Sequence, residues 1–142
     1  MATLRVDTLA FHFDRVDARK YDESRHYLDV VRRANKRAVD VVAVKLGSRP
    51  QRAWLLEVKD YRELRGLPKA SLPSEIADDL FRKVTDTRHG LADAAVNAAD
   101  ADEKAHASRT LAAPKCQVVF HLEPYAGAAS KLFPRDPTAG VL

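Results

Sequence analysis

The sequence contains a single cysteine, Cys116, and this scarcity excludes several kinds of protein. One thiol can form neither an intramolecular disulfide nor a cysteine-based zinc cage, so we expect a protein of the reducing cytoplasm. No apolar run approaches the roughly 20 residues of a transmembrane helix, so we expect no membrane partner. Glycine-rich phosphate loops and the nucleophile elbow are also missing. The enzyme classes that depend on those motifs are therefore excluded.

The chain also lacks a large net charge of either sign. The chain has 24 Lys and Arg against 20 Asp and Glu, a formal charge of +4. This balance is compatible with a polyanionic partner but does not establish one. A length of 142 residues corresponds to one ordinary domain. We expect a single domain over residues 1–125 and a weakly structured C-terminal tail over 126–142, which could be a truncated end.

The hydrophobic patterns that are present predict strands alternating with helices. Residues 14–25 are rich in acids and predict an irregular stretch. A helix is expected over 27–38 with Asp22 as its N-cap, although the β-branched pair Val30-Val31 leaves a strand as the alternative. Asp100 with Glu103 forms a capping box for a later helix. The predicted strands are 9–13, 38–46, 51–60 and 115–122, and the longest predicted helix is 76–98. Together these elements predict an α/β or α+β protein whose mixed sheet is flanked by helices.

The two central strands are joined by a tight turn, and their pairing brings charges together. If the turn is symmetric about Ser48 and Arg49, Asp40 faces Glu57, and Lys59 follows on the same face. Directly opposed side chains have Cβ atoms roughly 5 Å apart. Two carboxylates at that distance repel by roughly 3 kcal/mol at an effective dielectric constant near 20. This end of a largely apolar hairpin therefore needs a compensating interaction.

Three kinds of compensation are open at this point. One carboxyl group can stay protonated, Lys59 can neutralise the pair, or a divalent cation can lie between them. Two carboxylates with a nearby backbone carbonyl make a partial oxygen cage, which suits Mg²⁺ because this ion keeps several waters. The simplest alternative is an exposed ion pair of Glu57 and Lys59 at the sheet rim, which stabilises little.

The combination of Asp40, a turn and then Glu57-Val58-Lys59 resembles the signature of the PD-(D/E)xK nuclease superfamily. The match covers residues 38–60. The resemblance implies a restriction endonuclease-like core of helix, three-stranded meander, helix and strand. It also implies that Asp40 and Glu57 bind Mg²⁺ or Mn²⁺ together with the backbone carbonyl of Val58, and that Lys59 positions or activates water. The implied activity is hydrolysis of phosphodiester bonds, as in an endonuclease.

Further residues are weaker candidates for the same site. In the superfamily an upstream acid sometimes adds a metal ligand, and the candidate here is Glu23, with Asp22 and Asp29 behind it. Lys83, in the long helix, is a candidate supporting residue. Basic residues on either side of the motif are candidates for contacts with nucleic-acid phosphates: Arg32, Arg33, Lys36, Arg37, Arg62, Arg65 and Lys69.

The expected partner is DNA, with RNA as an open alternative. No separate recognition domain is visible, so a protein partner could supply specificity, and a homodimer would allow both strands to be cut. The competing hypothesis is a non-catalytic nucleic-acid-binding or assembly domain that keeps a nuclease-like fold.

Overall fold

Two β-sheets and three helical regions make up the structure, a computed structural model that describes residues 2–6, 9–47, 52–60 and 73–123. The first two strands, β1 (Ala2–Val6) and β2 (Leu9–Phe13), form an antiparallel hairpin. The second sheet has the order β3 (Val16–Lys20), β4 (Val41–Lys45), β5 (Arg52–Asp60) and β6 (Lys115–Glu123). Strands β3, β4 and β5 form an antiparallel meander, and β6 pairs in parallel with β5.

The helices are α1 (Pro73–Asn97), α2 (Ala101–Ala112) and a helical segment between β3 and β4. This segment, residues 21–34, contains a 3₁₀ turn at Tyr21–Glu23, a π-helical stretch at Tyr27–Val31 and a second 3₁₀ turn at Arg32–Ala34. The predicted class, a mixed sheet with helices, is confirmed. In the described part of the chain, no helix has both the length and the apolar composition that crossing a membrane requires.

The four-stranded sheet is buried on both faces, which explains its continuous apolar runs. On one face, Val42 and Leu55 pack in a cluster with residues of α1, α2 and the helical segment. On the other, Leu56 and Val58 pack against the β1–β2 hairpin. Because strand side chains alternate between faces, Glu57 lies on the same side of β5 as Leu55, facing the helices.

The prediction of an irregular stretch over 14–25 is wrong for β3. All five residues of β3 are half-buried, and Val16 and Ala18, which alternate with Asp17 and Arg19, pack against the cluster below the β1–β2 hairpin. The strand forms because its backbone pairs with β4, from Val16 opposite Lys45 to Lys20 opposite Val41. Two apolar residues in a short, charged stretch are only a weak local signal for such pairing.

The predicted helix 27–38 differs from the observed segment at both ends. The hydroxyl of Ser24, in place of Asp22, accepts a hydrogen bond from the Tyr27 amide at 3.3 Å, as an N-cap residue does. The segment ends at Ala34 because Asn35 adopts a left-handed conformation, with φ of 62°. The chain then continues without regular secondary structure to β4.

Only half of the predicted capping box is present. The Asp100 carboxylate caps α2 by accepting hydrogen bonds from the Asp102 and Glu103 amides, at 2.8 and 3.1 Å. The Glu103 side chain points elsewhere, and accepts from the Arg25 and His26 amides at 2.8 and 3.0 Å. Glu103 therefore pairs with the two free amide groups just before the π-helical stretch, and so connects α2 to the helical segment.

A glycine in α1 allows the helical segment to pack closely on that helix. A Cβ atom at Gly90 would overlap the Tyr21 hydroxyl oxygen and lie 3.1 Å from Val31 Cγ1. Both of these neighbours are buried. Glycine is therefore required here by the close approach of the two elements.

We expect Gly90→Ala to lower the free energy of unfolding by about 1–3 kcal/mol, because overpacking outweighs the better helix propensity of alanine. Tyr21→Phe removes the overlapping oxygen, so the cost of Gly90→Ala should fall when both changes are combined. Urea denaturation of the wild type, the two single variants and the double variant measures this coupling. A Gly90→Ala protein as stable as the wild type would contradict the close packing.

Candidate active site

The end of the β4–β5 hairpin brings two carboxylates together. The register pairs Val41 with Leu56, and every observed pair follows the predicted rule that residue i faces residue 97 minus i. The register prediction is thus confirmed, and its continuation by one residue places Asp40 opposite Glu57. The Asp40 carboxylate accepts a hydrogen bond from the Val58 amide at 2.7 Å. This bond holds the Asp40 side chain against β5.

Glu57 is the most unusual residue of the structure, because its carboxyl group is almost fully buried. It is 1% exposed. Oxygen Oε2 contacts the Lys83 ammonium group and lies 3.8 Å from Lys59 Nζ. Oxygen Oε1 is buried and has no hydrogen-bond partner among the described residues. A buried polar atom without a partner destabilises a fold, so its presence requires an explanation.

The electrostatics of the site reflect this burial. Burial raises the pKa of Glu57 to about 8, with the hydrogen bond and negative charge of Asp40 adding to the rise and Lys83 opposing it. Burial also lowers the pKa of Lys59, and the neighbouring charge of Lys83 lowers it further. Burial disfavours the charge of Lys83 too, but the hydrogen bond to Glu57 and the negative charges of Glu57 and Asp79 together outweigh burial and raise the pKa of Lys83. Lys83 is therefore the main counter-ion of Glu57.

Asp79 is a member of the site that sequence reasoning missed. Its carboxylate contacts the Arg37 guanidinium and lies 3.5 Å from Lys83 Nζ and 3.8 Å from Lys59 Nζ. Asp79 and Lys83 are four residues apart on α1, so they share one face of the helix. That spacing was the available signal, since Lys83 itself is a sequence-predicted candidate.

Two side chains of α1 fix the backbone that leads into Asp40. The buried carboxylate of Asp86 accepts a hydrogen bond from the Arg37 amide at 2.9 Å. The hydroxyl of Thr87, also buried, accepts one from the Val39 amide at 3.0 Å. Helix α1 therefore supplies Lys83 and Asp79 to the site and also anchors the chain on which Asp40 lies.

Among the upstream acids, Asp22 shows an electrostatic effect of Asp40 on its pKa. The Glu23 side chain is 60% exposed and pairs with Lys20, and that of Asp29 is similarly exposed. Asp22 is half-buried, and its Oδ1 atom has no hydrogen-bond partner in the described part of the chain. Burial and then the charge of Asp40 raise the pKa of Asp22 to about 6. The structure therefore favours Asp22 over Glu23 as the additional acid.

The basic candidates are only partly placed. Arg32 and Arg33 are exposed on the helical segment, and Lys36 is half-buried just after it. Arg37 reaches the site through Asp79. The remaining three lie outside the described residues: Arg62, Arg65 and Lys69.

The side chains of the site offer only a partial set of ligands for a metal ion. The described residues include no group of three or more His, Cys, Asp or Glu side chains placed to hold one. Asp40 and Glu57 are two carboxylates, and the unpartnered Oε1 atom of Glu57 is an oxygen that a cation would satisfy. A partial set of oxygen ligands fits Mg²⁺, which retains waters and accepts phosphate oxygens, better than it fits Zn²⁺.

Comparisons with family models, with curated proteins and with solved structures found no match to this chain. The case for function therefore depends on the geometry of the site.

The two lysines should differ sharply in their contribution to stability. Lys83→Met should lower the free energy of unfolding by about 3 kcal/mol, because it leaves the buried Glu57 carboxylate without its close partner. Lys59→Met should cost less than about 1 kcal/mol, because Lys59 is 31% exposed and farther from Glu57. Denaturant unfolding at pH 9 compares the two variants. Equal losses would show that Lys83 is not the dominant partner of Glu57.

Proposed function

We propose that this protein is a metal-dependent nuclease that hydrolyses phosphodiester bonds of DNA. The observation that carries the proposal is the buried Glu57 carboxyl group, opposite Asp40. One of its oxygens has no partner among the residues that the structure describes, and two lysines lie beside the other. A purely structural role requires a proton shared between Glu57 and Asp40 to satisfy this oxygen and to remove the repulsion between the acids, as the raised pKa of Glu57 allows. A divalent cation compensates both.

Each residue of the site has a role in this proposal. Asp40 and Glu57, with the carbonyl of Val58, hold Mg²⁺ or Mn²⁺, and Asp22 is the candidate for a further acidic contact. When bound, the metal supplies Lewis-acid stabilisation of the phosphate charge and lowers the pKa of water. Lys59, whose own pKa is lowered, positions the attacking water or takes part in its deprotonation.

Lys83 has a different role, because it is the more deeply buried of the two lysines, at 13% exposure. Its ammonium group balances the charge of Glu57 while substrate is absent. Its helix, α1, also holds the chain before Asp40 through Asp86 and Thr87. Lys83 therefore acts as a supporting residue that keeps the acidic pair in place.

The topology around the site supports a restriction endonuclease-like core. The antiparallel meander β3–β4–β5 is followed by helices and then by β6, parallel to β5. This matches the implied order from the meander onwards. The implied helix before the meander has no counterpart among the described residues, where the β1–β2 hairpin precedes β3 and the helical segment lies between β3 and β4.

A second candidate function is a non-catalytic nucleic-acid-binding or assembly domain. The contact between Glu57 and Lys83 favours it, because this ion pair partly neutralises the buried carboxylate without a metal. The two candidates differ in whether a divalent cation binds. Pairing of two copies and help from a protein partner stay predictions for either function.

Nicking of supercoiled plasmid in Mg²⁺ or Mn²⁺ tests the proposal. Asp40→Asn and Glu57→Gln should abolish nicking, and Lys59→Met should slow it on the order of 10²–10⁴-fold, as loss of an acid–base group does. Asp14→Asn is the matched control, because Asp14 is exposed and lies in the turn before β3. Mn²⁺ should also raise the melting temperature of the wild type but not of Asp40→Asn, since a bound ligand stabilises the native state.

Equal nicking by all variants would identify a contaminant. Absence of nicking, together with no Mn²⁺-dependent rise in melting temperature, would reject the nuclease and favour the binding or assembly domain.

A further inference from the structure

The carboxylate of Asp79 is surrounded by cations from three separate parts of the chain. Arg37 precedes β4, Lys59 lies in β5 and Lys83 lies in α1. The Asp79 side chain is partly buried, at 26% exposure. Solvent, and hence a solute anion, can therefore reach the point where the three cations converge.

Three cations contact the Asp79 carboxylate, and two of them are shared with Glu57. Lys83 contacts both acids, and Lys59 lies 3.8 Å from an oxygen of each. Arg37, Lys59 and Lys83 thus converge on one partly exposed carboxylate, while Asp40 lies opposite Glu57 across the hairpin. A phosphate group offers more acceptor oxygens than a carboxylate, and both are bound by the same ammonium and guanidinium donors.

The position of Asp79 connects this cluster to the acidic pair. Lys59 and Lys83 each contact both Glu57 and Asp79, so an anion in the place of Asp79 would lie one side chain away from Glu57. Partly exposed ion pairs are weak, so the contacts of Asp79 can be exchanged for those of a stronger anion.

We propose that Arg37, Lys59 and Lys83 form the binding site for the substrate phosphodiester, and that Asp79 occupies this site until the phosphate displaces it. The inference rests on the proposed function and extends it, since it makes Asp79 an internal competitor of the substrate. It gives Arg37 a direct contact with phosphate. It also explains why an acid lies among basic residues that would otherwise be free to bind nucleic acid.

Binding without cleavage tests this role of Asp79. Fluorescence anisotropy of a labelled duplex DNA in EDTA would be measured for the wild type, Asp79→Asn and Asp78→Asn. Asp78 is the matched control because it is the neighbouring acid on the exposed side of α1. Asp79→Asn should bind at least about threefold more tightly than Asp78→Asn, since a partly buried charge near the bound phosphate is screened less than an exposed one. Its salt dependence should be steeper by up to about 0.9 in log–log slope, because no displaced carboxylate then takes up a cation from solution.

Asp79→Ser, compared with Asp78→Ser, repeats the measurement with a shorter side chain in case the amide disturbs folding. If the wild type binds DNA and the Asp79 variants bind it equally or more weakly than the Asp78 variants, the proposed displacement of Asp79 is wrong, while the proposed function is not affected. Failure of the wild type and of all variants to bind DNA would overturn this inference and the proposed function together.

Discussion

The burial of one carboxyl group, that of Glu57, is the constraint on which the rest of the site depends. A carboxylate removed from water needs a counter-charge and hydrogen bonds, and β5 supplies only Lys59, whose Nζ lies 3.8 Å from Glu57. Lys83 must therefore come from α1, which has to cross the same face of the sheet. That helix in turn holds the backbone before Asp40 through Asp86 and Thr87. The packing of α1 on the sheet and the assembly of the acidic pair are thus one structural requirement.

The hairpin was predictable from sequence because its information is local. A short turn fixes the register, the register fixes which residues are opposed, and the apolar runs on either side identify both strands as buried. These three facts predict that Asp40, Glu57 and Lys59 lie together at one end of the hairpin. The order of the later elements, long helix, short helix and strand, was also predictable, since each shows its own periodicity or cap.

The remaining parts depend on contacts between distant residues. Strand β3 is identified by its pairing with β4, and Asp22 differs from Glu23 in being half-buried where Glu23 is exposed. Asp79 joins the site because α1 lies at one particular rotation against β5. The local signals of these residues are weak, because a charged residue on a helix is typical of a solvent-exposed face.

The capping of the helical segment by Glu103 has a consequence for how the protein is made. The bonds from the Arg25 and His26 amides to Glu103 span 78 and 77 positions of the chain. A segment this short does not persist as a helix by itself, and contacts of such long range form late in folding. During synthesis, these two bonds cannot form until Glu103 has left the ribosome. A nascent chain that ends before α2 therefore lacks the cap that Glu103 gives to the Arg25 and His26 amides.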